Sequence, residues 1–191
     1  MLNTKLLITE KEMKFFLKQI NNSDEISIDI EFMRRNTFFP EPCVIQLSNG
    51  NFHGCIDLTL GIDYKNLFKN IFDNDKKIIL HSCRQDLEIL NMILGYIPKN
   101  IFDTQFAASF LGFKYQIGYA ELIKEIYNIT IDKTEKMTNW KKRPLSQKQI
   151  DYAINDVLHL NKLSKYLNEK LIETKKIDFY NEEFTNYVSD I

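Results

Sequence analysis

Cysteine, glycine and proline are all scarce: 191 residues contain 3 cysteines, 6 glycines and 4 prolines. Cys43, Cys55 and Cys83 are odd in number and form no CxxC pair, which excludes a disulfide framework and a four-thiolate zinc site. A reducing, intracellular compartment is the simpler expectation. Few glycines and prolines alongside 13% aromatic residues exclude collagen-like and disordered chains. Charge of one sign is also missing. With 25 basic and 26 acidic residues the net charge is −1, so any grip on a polyanion has to be local. No apolar run approaches the roughly 20 residues a membrane helix needs, and the stretch from Met1 to Glu10 lacks the apolar core and cleavage site of a signal peptide. The cytoplasm is the expected location, with no membrane partner.

The length suits one ordinary globular domain with at most a short extension. Thr9-Glu10-Lys11-Glu12 is a capping-box pattern, and Met13, Phe16, Leu17 and Ile20 follow at helical spacing. A short strand at about 5–8 therefore leads into a first helix. From Ile26 to Phe32 the sequence alternates, with Ile26, Ile28 and Ile30 on one face and Ser27, Asp29 and Glu31 on the other. Asn49-Gly50 marks a tight hairpin between 44–48 and 52–57, so strands 26–31, 44–48 and 52–57 are expected as an antiparallel meander. Helix at 64–72, strand at 77–80, helix at 84–94, an extended piece at 101–103 and helices near 104–111 and 118–127 complete an α/β pattern. Ser146-Gln147-Lys148-Gln149 opens what reads as one long helix, with Ile150, Ala153, Ile154, Val157, Leu160, Leu163 and Leu167 on its apolar face. Residues 172–191 are polar with interspersed aromatics, and either dock as a short helix or fray.

Four acids fall where chemistry can use them. Asp29 and Glu31 share a strand face with Cα atoms roughly 6.5–7 Å apart, which fits either a solvated edge or a shared divalent ion. Asp86 falls in the first turn of a helix, where the dipole alone favours a carboxylate. Asp156 lies four residues after Tyr152, about 6 Å along one helix face. An α/β domain gathers such positions at one end of its sheet. Four clustered acids repel each other unless cations compensate. An oxygen-only donor set suits Mg²⁺ or Mn²⁺, and two ions about 3.5–4 Å apart are the usual arrangement for phosphodiester cleavage.

The order of these segments resembles the ribonuclease D family. Ile28-Asp29-Ile30-Glu31-Phe32, with Phe38-Phe39-Pro40 and Ile45-Gln46-Leu47 downstream, is similar to its first exonuclease motif. His81 to Leu87 is similar to the second, and Tyr152-Ala-Ile-Asn-Asp156-Val157 to the third. Between them, the segments Phe102 to Gly112 and Trp140 to Ser146 resemble connecting stretches of the family. The resemblance, over roughly residues 5–170, is to DEDD 3′–5′ exonucleases of the Tyr-containing branch. It implies a ribonuclease-H-like α/β fold: a mixed central sheet with an antiparallel meander, flanked by helices. It also implies that Asp29, Glu31 and Asp156 hold one metal ion and Asp29 with Asp86 a second, while Tyr152 orients the attacking water. One departure from the family pattern is Ile30, where a small polar residue is common; it is expected to point into the core.

Residues 1–170 are expected to form the exonuclease domain and 171–191 a helical extension or tail of it, without the C-terminal helical RNA-binding domains of longer ribonuclease D proteins. Expected substrate contacts are Phe32 and Gln46 in the first motif, His81 in the second, Lys133 in a loop over 130–144, and Trp140 and Arg143, the first stacking a base and the second, with Lys141 and Lys142, meeting phosphates. Arg34-Arg35 is a second basic pair. His81 has an alternative role in shaping its motif. A zinc site at His53 and Cys55 or at His81 and Cys83 lacks ligands, and Cys83 lacks a base that would make it a nucleophile.

The function so implied is a metal-dependent 3′–5′ exoribonuclease that uses two Mg²⁺ or Mn²⁺ ions and releases 5′-monophosphates from single-stranded 3′ ends of tRNA-like or other small structured RNAs. A DNA exonuclease of the same superfamily and a catalytically silent RNA-binding module are the alternatives. A homodimer contact, if one exists, is expected within 172–191.

Overall fold

The computed structural model describes residues 5–34, 38–73, 75–132, 134–135, 138–189 and 191. Among them are the strands β1 (Leu6–Leu7), β2 (Glu25–Met33), β3 (Glu41–Ser48), β4 (His53–Asp57), β5 (Lys77–Leu80) and β6 (Ile101–Asp103). The helices are α1 (Glu10–Ile20), α2 (Tyr64–Phe72), α3 (Arg84–Leu94), α4 (Thr104–Phe110), α5 (Tyr119–Tyr127), α6 (Gln147–Leu158), α7 (Leu160–Glu173) and α8 (Ile177–Ser189). The strands form one mixed sheet in the order β1-β4-β3-β2-β5-β6. β2, β3 and β4 make the expected antiparallel meander, while β1 joins β4, and β5 joins both β2 and β6, in parallel.

β2 sets the frame for everything else. Ile26, Ile28 and Ile30 are all buried in the main core, each contributing about 1.5–3 kcal/mol by leaving water. A one-residue slip would expose all three, so their burial fixes Asp29 and Glu31 on the opposite face. Ile30 points into the core as its position requires. In β3, Val44 stands opposite Glu31 and Gln46 opposite Asp29, and a register shift between Glu31 and Phe32 bends the strand just beyond the acids.

Both capping patterns hold. Thr9 accepts from the Glu12 N–H at 3.3 Å, and Ser146 and Gln149 form a full capping box at the start of α6. Glu12, bonded to Lys5 and Thr9, has its carboxyl drawn down to about 2.

The expected single helix after Ser146 is two helices. At His159 the ladder is interrupted by a side chain: its N–H donates to the Tyr119 hydroxyl at 3.2 Å, and that hydroxyl donates to the Asn155 carbonyl at 3.1 Å. Tyr119 thus stands between the two groups that would otherwise bond each other, an identifiable cause of a helix break. The apolar pattern runs through unbroken because α6 and α7 both bury it: α6 packs on β2, β3 and β4, and α7 on α4, α8, β2 and β5. The C-terminal segment docks as α8, where Tyr180 and Phe184 are buried beside Phe106. No helix of the described residues is long and apolar enough to cross a membrane.

Candidate active site

Where β2 outruns β5, the sheet opens into a cleft of about 710 Å³. Parallel pairing with β5 reaches Ser27 and goes no further, while β2 continues to Met33. Asp29 and Glu31 project here, and α6, lying across the same face, brings in Tyr152 and Asp156. One carboxylate oxygen from each of Asp29, Glu31 and Asp156 lies within 4.8 Å of the other two. Asp86 enters from the opposite wall, at the first turn of α3.

The electrostatics are those of acids held together without enough positive charge. Burial pushes the Asp29 carboxyl up to about 6, partly offset by the Ile30 N–H. The Asp86 carboxyl is raised well above the ordinary range, first by burial and then by the charges of Asp29 and Asp103, although the same Ile30 N–H favours its ionised form. Arg34 is the one arginine or lysine among the described lining residues, and its guanidinium bonds the Phe38 carbonyl at 2.9 Å and lies 3.8 Å from Glu88. Four acids from two walls, all offering oxygen, fit hard divalent cations and give them a reason to bind.

Tyr152 donates its hydroxyl to Asp156 and is pushed far above its usual pKa by burial, then by Asp156, Glu31 and Asp29. The phenol therefore stays protonated across the physiological range. Its ring lies 6.0 Å from that of Trp140.

The expected substrate contacts divide. Phe32 and His81 line the cleft. Both His81 nitrogens are held, Nδ1 at 2.9 Å from the Thr104 hydroxyl and Nε2 at 2.9 Å from the Ile117 carbonyl, so the ring braces the wall. Trp140 lines the cleft too, but at 2% exposure it has no free face for a base; the expected stacking gives way to a packing role beneath Tyr152. Gln46 is fully buried and outside the cleft lining, its amide without a hydrogen-bond partner, so it cannot touch substrate from this position.

Arg143 also departs from expectation. It forms two bonds with the buried Asp57, at 2.5 and 2.6 Å, and donates to the carbonyls of Trp140 and Cys43. Burial raises the Asp57 carboxyl, but the bonds from Arg143 and Thr59 outweigh it and hold the pKa low. A carboxylate removed from water needs a paired cation, and Arg143 is committed to that task. Lys141 is paired with Glu41 at 2.6 Å. Lys133 and Arg35 lie outside the described residues. The three cysteines are free and buried; burial, then Asp103, raises the Cys83 thiol far out of the nucleophilic range.

Two residues near the cleft carry roles that sequence spacing did not reveal. Tyr119 breaks the α6–α7 helix as described above, and Asp103, buried behind the second motif, accepts backbone bonds from two separate segments. An aspartate just before a helix signals a cap, but its second set of partners, 20 residues away, leaves no mark in the sequence.

A family model described as 3′–5′ exonuclease matches residues 6–172. Ribonuclease D of Sphingobium indicum is 36% identical over 180 residues, covering 93% of this chain and 46% of that protein. The crystal structure of Escherichia coli RNase D, described as an exoribonuclease involved in structured RNA processing, superposes with a TM-score of 0.89 at 28% identity, covering 96% of this chain and 49% of that one. Brucella melitensis NrnC bound to pGG superposes with a TM-score of 0.76 at 28% identity, over 86% of this chain and 81% of that one. The same protein with bound Mg²⁺ gives 0.74 at 26% identity, over 86% and 82%. The chain spans about half the length of the ribonuclease D proteins it matches.

Proposed function

The chain belongs to the 3′–5′ exonuclease family, and from that premise we propose that it is a metal-dependent exoribonuclease that shortens RNA from the 3′ end and releases 5′-monophosphates. The observation that carries this reading is the meeting of Asp29, Glu31 and Asp156 within 4.8 Å, with the protonated Tyr152 bonded to Asp156 beside them. Asp29, Glu31 and Asp156 would hold one divalent ion and Asp29 with Asp86 a second. When bound, Mg²⁺ or Mn²⁺ supplies Lewis acidity toward the scissile phosphate and makes hydroxide available near neutral pH.

The residues of the chain do the rest. Tyr152 spends its proton on Asp156, which leaves a phenol lone pair to accept from the attacking water and orient it. A phenol with so high a pKa cannot serve as the base, so its work is positioning. Trp140, packed beside the Tyr152 ring, restricts the phenol's swing. The substrate proposed is a single-stranded 3′ end of a cytoplasmic tRNA precursor or other small structured RNA. The description of the Escherichia coli protein as an exoribonuclease involved in structured RNA processing supports RNA over DNA.

The test is digestion of a 5′-labelled single-stranded RNA and its DNA counterpart with Mg²⁺, Mn²⁺ or EDTA, with Asp29→Asn alongside the unaltered protein. The expected result is a metal-dependent ladder shortening from the RNA 3′ end, lost by at least about a thousandfold in the variant. A ladder on DNA alone would move the activity to that polymer. Retained RNA binding with no cleavage of either would make the chain a binding module.

A further inference from the structure

Asp86 stands three residues after Cys83, the N-cap of α3. An acid at that position can reach back to the N-cap N–H, as Glu does in a capping box. Here it does not need to, because the Cys83 N–H donates to Asp103 at 2.7 Å and the neighbouring Ser82 N–H donates to the same carboxylate at 3.0 Å. Asp103 is itself the N-cap of α4, accepting from Gln105 at 2.7 Å and Phe106 at 3.1 Å. One carboxylate, 2% exposed, thus serves two helix starts. It is in turn held from behind: its own N–H donates at 3.1 Å to the hydroxyl of Tyr180, on α8.

We infer that Asp103 is a positioning residue for the cleft: by taking the Cys83 amide it leaves the Asp86 carboxylate, which bonds its own N–H and that of Ile30, facing Asp29 instead of turned back onto the N-cap. The two oxygens are divided in a way that allows a clean separation. Oδ1 accepts from Ser82, Gln105 and Phe106, while Oδ2 accepts from Cys83. Asparagine in place of Asp103 keeps Oδ1 for α4, where Asn is as good a cap as Asp, and sets an NH₂ group against the Cys83 N–H. That amide then needs a new acceptor, and Asp86, at the N3 position of the same helix, is the acid placed as a capping box would place it. Serine at 103 still caps α4 but is too short to span to the loop. The inference rests on the nuclease reading only for what Asp86 does in that position.

The test compares Asp103→Asn and Asp103→Ser with the unaltered protein in three measurements: a crystal structure, Mn²⁺ binding by calorimetry, and kcat and KM on labelled RNA. The expected crystal structure of Asp103→Asn has Asp86 turned back onto the Cys83 N–H with α4 intact. Mn²⁺ binding at the proposed Asp29–Asp86 site and kcat each fall about 10–100-fold, as for a residue behind a metal ligand, while KM stays within about threefold. Tyr180→Phe, which loses the brace but keeps the ring, gives a smaller fall of the same kind. Asp86 unmoved in a folded Asp103→Asn overturns the inference, as do a kcat and Mn²⁺ isotherm within twofold of the unaltered protein. Should the unaltered protein neither cleave nor bind Mn²⁺, the nuclease reading falls, and the position of Asp86 in the variant still decides this inference. If Asp103→Asn does not fold, Asp103→Ser takes its place under the same criteria.

Discussion

The two walls of the cleft are built by different means. On one, Asp29, Glu31, Tyr152 and Asp156 stand on a central strand and on the helix packed across it, and their spacing follows from two periodicities, 2 along β2 and 3.6 along α6. On the other, Asp86 stands in the first turn of α3, and its direction is inferred to depend on Asp103, a residue of another strand, which is braced by Tyr180 from the last helix. The first wall is stiff because moving an acid means unburying Ile28 and Ile30 or Ala153 and Val157. The second shares that core through Leu87 and Leu90 of α3, but the turn of the Asp86 carboxylate itself rests on a handful of hydrogen bonds to charged groups, each worth about 1.5–3 kcal/mol. A site can therefore lose one wall's geometry while the other, and the fold, stay intact.

Paired substitutions break that comparison most directly. Asp156→Asn removes a member of the converged trio, and kcat on RNA is expected to fall at least about a thousandfold, with loss of the tighter Mn²⁺ site by calorimetry. Asp86→Asn leaves the trio intact, so it is expected to keep that tighter site and to lose about a hundredfold in kcat. Equal loss of the tighter site in both variants would show the two walls acting as one.

Proton linkage sharpens it. Asp29 titrates near 6 in the folded, metal-free protein and near its ordinary value when unfolded, so the stability linked to this group is fully present below about pH 4 and is lost as pH rises through about 6. Asp57, whose pKa is lowered, acts oppositely and only in acid. His53 and His159, lowered by burial (in His159 also by Lys162), lose their contribution as pH falls through about 6.5, so the comparison has to be made against a variant rather than between two pH values. Without metal at pH 7.5, Asp29→Asn is expected to melt a few degrees above the unaltered protein. That gap should close at pH 4 and shrink when Mg²⁺ is added. A variant that melts lower at pH 7.5 without metal would mean that Asp29 is not under electrostatic strain.

The smallest expected effect on catalysis is at Arg143. Arg143→Met leaves the buried Asp57 unpaired, at a cost of about 3 kcal/mol and so several degrees in melting temperature. KM for RNA is expected to change less than twofold. A large rise in KM with unchanged stability would return Arg143 to the substrate.

Legibility followed the same division. Alternation along β2 and the i, i+4 pair on α6 put four of the five proposed active-site side chains where they are found, because local geometry and burial point the same way there. The strand meander and both caps were readable for that reason too. Arg143 was misread as a phosphate contact because a basic loop looks the same whether its guanidinium faces solvent or a buried Asp57. Trp140 was misread because stacking needs an exposed ring face, and exposure belongs to the packing. The helix break at His159 was invisible because its cause, Tyr119, is 40 residues away.

What the sequence determined by itself is the order of elements, the face of the sheet that carries acids and the family to which the chain belongs, since each rests on short-range pattern or on the sum of many positions. Left to the folded chain are which acids converge, which cation is consumed by a buried partner and which carboxylate takes the Cys83 amide beside Asp86. Those are contacts between residues 20 to 127 positions apart, and a contact of that span is chosen by the closed geometry of the folded chain rather than by the identity of the residues on either side of it.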